Sequence, residues 1–300
     1  MNMQQMRAEY AQTAQNIRRE FSKGDSLRDA GLSRPDDVAW ENDISYGKYG
    51  KWNILDIYYP RGTQGVLPTI ISVHGGAWVY GTKEVYQYYC CSLAQHGFTV
   101  VNFNYRLAPE DPFPASLEDI NQVFLWVKEH GKEHHIDTTC LFAVGDSAGA
   151  QLCSQYMAML VNPEFAALYD FVIPEITVRA VALNCGRYDM AKRFRGEDEE
   201  KFWAYFHGDP QKFLPLVDTM YYLNAKFPPA FIMTACHDFL REEAEPMKQA
   251  LETLGVEAEY HLYGSEDKKE IGHVFHCNIR LEEAKKCNDE ECAFFARHIK

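Results

Sequence analysis

Short apolar runs alternate with longer amphipathic segments through most of the chain. Residues 116–131, 148–161 and 240–255 place apolar side chains on one helical face and predict three helices. The runs between and around them are rich in apolar and β-branched residues and predict buried strands at 69–73, 98–103, 140–144, 178–183 and 230–234. Strands that alternate with helices indicate an α/β fold, with a mostly parallel central sheet flanked by helices.

The two ends of the chain extend this pattern. Residues 43–46 and 53–59 predict two early strands, residues 257–263 predict a late strand, and a terminal helix is predicted after Leu281. An amphipathic helix is predicted at the start of the chain, ending at a Lys-Gly pair at 23–24. Its apolar positions are Met3, Met6, Tyr10, Ile17 and Phe21.

Two local features add detail. Ser116 and Asp119 have the spacing of a capping box at the start of the 116–131 helix. Residues 187–228 interrupt the strand–helix alternation, because they are highly charged at first and aromatic later, and they predict an inserted helical segment. Its aromatic residues are Phe202, Trp203, Tyr205, Phe206, Phe213, Tyr221 and Tyr222.

Charge and composition narrow the classes of partner and location. The 300 residues carry a formal net charge of −13, which disfavours nucleic acid and anionic membrane surfaces as partners. The chain has no signal-peptide pattern and no run near the roughly 18 apolar residues that span a bilayer, so we expect no stable membrane insertion. Nine scattered cysteines predict free thiols and a cytoplasmic location. The spacing of His273, His276, Cys277, Cys287 and Cys292 matches no zinc pattern, so we expect no metal.

Ser147 is the strongest candidate for chemistry. It lies in the sequence Gly-Asp-Ser-Ala-Gly at 145–149, between the apolar run 140–144 and the helical segment 148–161. A G-x-S-x-G turn between a strand and a helix projects the serine hydroxyl from the turn, where it can attack an acyl carbon. An ordinary strand-to-helix turn has the same composition, so the serine needs a base and an oxyanion site as partners.

A glycine pair supplies candidate oxyanion donors. His74-Gly75-Gly76-Ala77-Trp78 follows the strand predicted at 69–73. The backbone N–H groups of Gly75 and Gly76, with that of Ala148 after the serine, are predicted to bind the oxygen of a tetrahedral acyl intermediate.

With these motifs in place, the chain resembles the hormone-sensitive-lipase-like esterases of the α/β-hydrolase fold. Beside the glycine loop and the serine turn, the resemblance rests on Tyr-Arg-Leu-Ala-Pro-Glu at 105–110, followed by Phe-Pro-Ala at 113–115 and Asp119. In that family this third stretch is structural, so neither Arg106 nor Asp119 is expected to be catalytic. The resemblance implies a single domain, residues 1–300, in which a helical cap of about 1–40 and 187–228 covers a core of about 41–186 and 229–300.

The fold order of this family implies an acid and then a histidine after the serine. Asp238 follows the strand predicted at 230–234, and it matches the acid of the family; it could also cap the next helix. His273 follows the last predicted strand and a polar loop, and is expected to be the base, with His276 as its rival. Asp146 is expected to be structural or electrostatic, with a tentative substrate contact.

Together these residues predict a serine carboxylesterase that acts on short to medium acyl esters, acetylesterase-like, through an acyl-enzyme and without a cofactor. Trp78 and Tyr80 are tentative substrate contacts. Because aromatic side chains also stack on sugar rings, a carbohydrate acetyl esterase is the alternative. A non-catalytic small-ligand receptor and an amidase or peptidase are weaker alternatives. The expected partner is a small-molecule ester, with a homodimer possible.

Overall fold

Eight strands form one sheet in the structure, a computed structural model that describes residues 3–190, 205–206 and 210–300. In chain order they are Val38–Ser45 (β1), Ile54–Pro60 (β2), Leu67–Val73 (β3), Thr99–Phe103 (β4), Ile136–Asp146 (β5), Val178–Asn184 (β6), Ala230–Ala235 (β7) and Ala258–Tyr263 (β8). The order across the sheet is β1-β2-β4-β3-β5-β6-β7-β8. Strand β2 pairs antiparallel with β1 and β4, and the other neighbours pair parallel, which confirms the mostly parallel sheet.

Helices connect the parallel strands. The longer ones among the described residues are Met3–Asp29, Lys83–Gln95, Ala115–His130, Ala148–Val161, Arg241–Thr253 and Glu282–Arg297. Shorter helical turns are Gly50–Trp52, Gly131–His134, Pro163–Ala166, Pro210–Phe213, Leu214–Val217, Thr219–Tyr222 and Phe275–Cys277. None of the described helices combines the length and the apolar composition that crossing a bilayer requires.

The strands bury both faces of the sheet. Ile70 and Ile71 are adjacent on β3, yet they belong to different buried clusters, and Phe142 and Ala143 on β5 divide in the same way. Because successive side chains of a strand point to opposite faces, each cluster fills one face. This explains why the sequence shows continuous apolar runs rather than alternation.

Two expectations about local structure are wrong, and one helix was missed. The N-terminal helix does not end at Lys23-Gly24 but continues to Asp29. Its last turns are held by Arg28, which bonds to Asp29 and to the Val85 carbonyl of the core. These tertiary contacts override the weak helix propensity of Gly24.

The predicted capping box is also wrong, and the helix Lys83–Gln95 is the one that was missed. The helix begins at Ala115, and the Asp119 carboxylate accepts hydrogen bonds from the backbone and guanidinium of Arg106 instead of capping it. The helix Lys83–Gln95 was not predicted, although Tyr86, Tyr89 and Leu93 give its buried face helical spacing.

The division into cap and core stays a prediction. Residues 191–204 and 207–209 of the expected cap, with Phe202 and Trp203, lie outside the described residues. Of the remaining aromatic residues, Tyr205 and Phe206 are buried, whereas Tyr221 is 77% exposed. The N-terminal helix is fixed to the core by Arg18, which donates hydrogen bonds to the carbonyls of Val79 and Ala108.

Candidate active site

Ser147 lies at the sharp turn between β5 and the helix Ala148–Val161. Its backbone angles are φ 53° and ψ −118°, in a region that residues with a Cβ rarely adopt. The Ser147 N–H donates to the Asn184 carbonyl at 2.9 Å, at the end of β6. Gly149 is required because a Cβ there would lie 2.2 Å from the Val73 carbonyl oxygen. The helix therefore starts in close contact with β3, and the serine side chain lies at the carboxyl end of the sheet.

His273 lies between Ser147 and Asp238. Its Nε2 is 2.8 Å from Ser147 Oγ, and its Nδ1 is 2.7 Å from Asp238 Oδ1. Asp238 follows β7, and its side chain is fully buried. Thr234 Oγ1 and the Leu240 N–H donate to its carboxylate, each at 2.9 Å. The three side chains thus form one continuous line of hydrogen-bonding distances, drawn from three loops at the carboxyl ends of β5, β7 and β8.

The electrostatics of Asp238 favour its charged form. Burial favours the neutral acid, but the hydrogen bond and the positive charge available from His273, with the Leu240 N–H, outweigh it, so the pKa of Asp238 lies below its usual value. A charged carboxylate at this position accepts the Nδ1–H of the imidazole and leaves Nε2 to face Ser147.

The rival histidine lies elsewhere. His276 is fully buried, its Nε2 is 3.5 Å from Cys277 Sγ, and its ring meets Tyr89 edge-on. Burial lowers the pKa of His276 to about 3. The structure therefore places His273, the histidine expected to be the base, beside Ser147, and His276 at the short helical turn Phe275–Cys277 lies away from it.

The glycine loop requires a correction to the predicted oxyanion donors. The Gly75 N–H is already used, because it donates to Tyr86 Oη at 2.9 Å and to Asp146 Oδ1 at 3.1 Å. Gly76 has φ 121°, and within the described residues no partner accepts the N–H groups of Gly76 or Ala77. The Gly75 N–H is therefore not available to an oxyanion, whereas those of Gly76 and Ala77 are.

Asp146 braces the loop from behind. It is 3% exposed, and its carboxylate accepts hydrogen bonds from the Gly75 N–H and, at 2.7 Å, from Tyr86 Oη. Burial raises the pKa of Asp146 to about 6, although the Tyr86 hydrogen bond and the charge of His273 oppose the shift. These hydrogen bonds fix the glycine loop, in line with the structural role expected of Asp146. Asp146 also lines the second cavity, so its substrate contact stays a prediction. Tyr86 was missed because its helix was not predicted.

The Tyr105–Asp119 stretch supports the same loop. Tyr105 Oη donates to the His74 carbonyl at 2.7 Å, and the two rings stack with centroids 4.0 Å apart. Arg106 forms a buried ion pair with Asp119 at 2.9 Å. These contacts are packing and support, in line with the structural role expected of Arg106 and Asp119.

Two cavities meet at Ser147 and His273. One, of about 300 Å³, is mostly apolar, with the buried Arg187 in its wall; its apolar lining is Ile17, Phe21, Ala77, Trp78, Phe239 and Leu240. The second cavity, of about 250 Å³, is also mostly apolar, but its wall carries more charged and hydroxyl side chains, among them Glu20, Asp25, Arg28, Tyr80 and Tyr86. The N-terminal helix covers both, because Glu20 and Phe21 line each of them.

Trp78 and Tyr80, the two aromatic residues predicted to contact substrate, line different cavities. Trp78 lines the apolar cavity, stacks on Tyr205 at 4.8 Å and donates from Nε1 to Gln151 at 2.9 Å. Tyr80 lines the second cavity and donates to Asp25 at 2.9 Å. Sequence reasoning missed Phe21, Arg187 and Phe239 as lining residues, since no local pattern separates them from other surface or core positions.

Two groups of described side chains have the proximity of metal ligands, but their carboxylates already accept hydrogen bonds. Among the described residues, two groups have donor atoms within 4.8 Å of one another: Cys185 with Asp238 and His273, and Asp146 with His276 and Cys277. Both carboxylates already accept hydrogen bonds, from His273 and from Tyr86. The nine cysteines are all free thiols, as predicted.

Comparison with known proteins identifies relatives of the same architecture. A family model described as the alpha/beta hydrolase fold matches residues 70–276. The chain is 33% identical to the probable carboxylic ester hydrolase LipM of Mycobacterium tuberculosis over 159 residues, which cover 52% of the chain and 36% of LipM. It is 28% identical to the versiconal hemiacetal acetate esterase of Dothistroma septosporum, over 69% of the chain and 67% of that esterase.

A solved structure gives the same result for the fold. Esterase B of Lactobacillus rhamnosis, inhibited by a tributyrin phosphonate, superposes with a TM-score of 0.88 at 23% identity, over 96% of this chain and 94% of the esterase. The chain spans about a third to two thirds of the length of the first curated relatives it matches.

Proposed function

Because the chain belongs to the family with the alpha/beta hydrolase fold, we propose that it is a carboxylic-ester hydrolase with Ser147 as its nucleophile. The observation that carries this proposal is the pair of distances at His273, 2.8 Å to Ser147 Oγ and 2.7 Å to Asp238 Oδ1. A serine, an imidazole and a carboxylate in this relation can generate an alkoxide-like nucleophile at neutral pH. The similarity to proteins named as esterases supports the same reaction.

The first half of the reaction forms an acyl-enzyme. His273 Nε2 removes the proton of Ser147 as Oγ bonds to the acyl carbon, and the carbonyl electron pair moves onto oxygen. The N–H groups of Gly76, Ala77 and Ala148 stabilise that oxyanion. The imidazolium, stabilised by Asp238, then gives its proton to the alcohol oxygen as the carbon–oxygen bond breaks.

The second half repeats these steps with water. His273 takes a proton from the water as its oxygen bonds to the acyl carbon, and the proton returns to Ser147 Oγ when the acyl bond to serine breaks. The products are one carboxylic acid and the regenerated enzyme. No metal or organic cofactor takes part in this scheme.

The apolar cavity supports short to medium acyl groups as substrates. An apolar cavity of about 150 Å³ holds a benzene ring, so the 300 Å³ cavity beside Ser147 has room for more than an acetyl group. Burial of each additional CH₂ contributes about 0.8 kcal/mol until the cavity is filled.

A carbohydrate acetyl esterase is the second candidate, and the charged and hydroxyl side chains in the wall of the second cavity favour it. Asp25, Arg28 and Tyr80 offer charged and hydroxyl groups that could bind sugar hydroxyls next to Ser147. In this case acetylated xylose would be hydrolysed with a higher kcat/KM than simple alkyl acetates.

The serine assignment is tested by turnover and by covalent labelling. Ser147→Ala is expected to lower kcat for p-nitrophenyl butanoate by about 10⁴-fold or more, because triad members act as a unit. An alkyl p-nitrophenyl phosphonate should label the wild type on the Ser147 peptide and leave Ser147→Ala unlabelled, as read by mass spectrometry. Ser265→Ala, in an exposed loop, is the matched control and should behave as the wild type.

The two histidines give an internal comparison. His273→Ala should lose turnover about as severely as Ser147→Ala, whereas His276→Ala, once shown by circular dichroism to be folded, should retain most of it. The reverse result would move the base to His276, and label on another serine would remove Ser147 from the scheme.

A further inference from the structure

Phe239 is a large apolar side chain left on the surface at the mouth of the apolar cavity. It follows Asp238 directly and is 68% exposed. Its ring lies 4.3 Å from the imidazole of His273, tilted by 45°. It also lines the cavity that contains Ser147.

Core packing does not account for this side chain. Full burial of a phenylalanine contributes about 1.5–3 kcal/mol, and a ring that is 68% exposed forgoes most of that. Its neighbour Leu240, by contrast, is 3% exposed. The turn is held by the Asp238 carboxylate, which accepts the Leu240 N–H, so it does not need the phenyl ring to keep its shape.

A second exposed phenylalanine lines the same mouth. Phe21 of the N-terminal helix is 43% exposed and lines the cavity together with Phe239. The two rings come from segments more than 200 positions apart in the sequence. An exposed apolar patch beside a reactive group is a common sign of a ligand-binding surface.

We propose that Phe239 is a specificity residue that binds the acyl chain of the substrate, selecting esters whose acyl part extends beyond an acetyl group. This rests on the ester hydrolysis proposed above. An acyl carbon bonded to Ser147 Oγ lies at the base of the apolar cavity, and a chain of four to six carbons leads outwards past the His273 ring. Phe239, which is exposed and lines this cavity, covers that chain on the solvent side. An acetyl group is too short to reach it.

The test compares one variant on two substrates. Phe239→Ala should lower kcat/KM for p-nitrophenyl hexanoate by about tenfold, the effect of exposing one or two CH₂ groups and the chain end. The same variant should change kcat/KM for p-nitrophenyl acetate by less than about twofold. The loss on hexanoate should lie mostly in KM. Phe239→Leu, which keeps an apolar side chain, should restore most of the hexanoate activity.

Val172→Ala is the matched control, because Val172 is 82% exposed and lies outside both cavities. It should leave the hexanoate-to-acetate ratio unchanged. Substrates are kept below their solubility limits, so that binding to aggregated ester does not contribute.

Two results would overturn the proposal. An equal fall in kcat on both esters, with a displaced pH profile, would mean that Phe239 only shields the His273–Asp238 pair. An unchanged ratio in Phe239→Ala would mean that the acyl chain does not contact it. If the wild type hydrolyses neither ester and is not labelled by the phosphonate, the ester hydrolysis itself fails, and that outcome is distinct from both.

Discussion

Ser147 keeps a backbone conformation that favours glycine, and the surrounding structure enforces it. Its φ of 53° costs a residue with a Cβ about 1–3 kcal/mol. Two contacts hold the backbone in this conformation. The Ser147 N–H donates to the Asn184 carbonyl, and Gly149 packs closely against β3. This strained backbone conformation directs the hydroxyl towards His273.

This strain predicts that two substitutions of Ser147 differ in stability. Ser147→Gly removes the Cβ and should be more stable than Ser147→Ala by about 1 kcal/mol, after allowing for the greater flexibility of glycine in the unfolded chain. Urea unfolding of both variants measures the difference. Equal stabilities, or a more stable alanine variant, would show that the turn stores no strain at Ser147.

The C-terminal helix reaches the site from behind the sheet. It carries Glu291, which is fully buried and accepts hydrogen bonds at 2.6 Å from Tyr89 Oη and from Asn184 Nδ2. Asn184 in turn holds the Ser147 N–H through its carbonyl. Burial raises the pKa of Glu291 from 4.5 to about 7, against the effect of its two hydrogen bonds.

A raised carboxyl pKa makes stability depend on pH in a definite direction. The stability that comes from protonated Glu291 is fully present below pH 4.5 and is lost as pH rises through about 7. Between pH 5 and 8 the wild type should therefore lose on the order of 2–3 kcal/mol more than Glu291→Gln. The glutamine can pair with Asn184, whose Oδ1 has no partner among the described residues.

Urea unfolding at pH 5, 6, 7 and 8 measures this difference. Glu282→Gln, on the same helix with a side chain 86% exposed, is the control and should follow the wild type. Parallel curves for Glu291→Gln and the wild type would contradict the buried-acid account.

At the scale of the whole molecule, segments that are far apart in the sequence together form the candidate active site. The N-terminal helix covers both cavities, β5 and its turn supply Ser147, and loops after β7 and β8 supply Asp238 and His273. Arg18 ties the helix to the core through Val79 and Ala108. The length of acyl chain that fits is therefore set jointly by the helix and the sheet.

The size of the apolar cavity predicts an optimum in acyl length. Across a series of p-nitrophenyl esters, kcat/KM should rise about fourfold per CH₂ from acetate to butanoate, since each buried CH₂ contributes about 0.8 kcal/mol. It should fall again for chains of about ten carbons, which exceed the 300 Å³ cavity. A steady decline from acetate onwards would place the acyl group elsewhere.

Most strands could be predicted from sequence because parallel strands buried on both faces are continuous apolar runs, as at 178–183 for β6. The helix Lys83–Gln95 was missed because its buried face consists mostly of tyrosines and cysteines, with Leu93 as its one large aliphatic residue. The end of the N-terminal helix was missed because Arg28 fixes it through contacts with Val85, more than 50 positions away.

The sequence by itself determined the alternating architecture and the serine turn, because these depend on local patterns of residues, and its resemblance to a family implied the order of serine, acid and histidine. Only the tertiary structure decided which N–H groups of the glycine loop are available. Gly75 and Gly76 are both glycines, yet Tyr86 and Asp146 accept hydrogen bonds from the N–H of Gly75 and not from that of Gly76. Hydrogen bonds between segments far apart in the chain make that distinction, and local patterns carry no information about them.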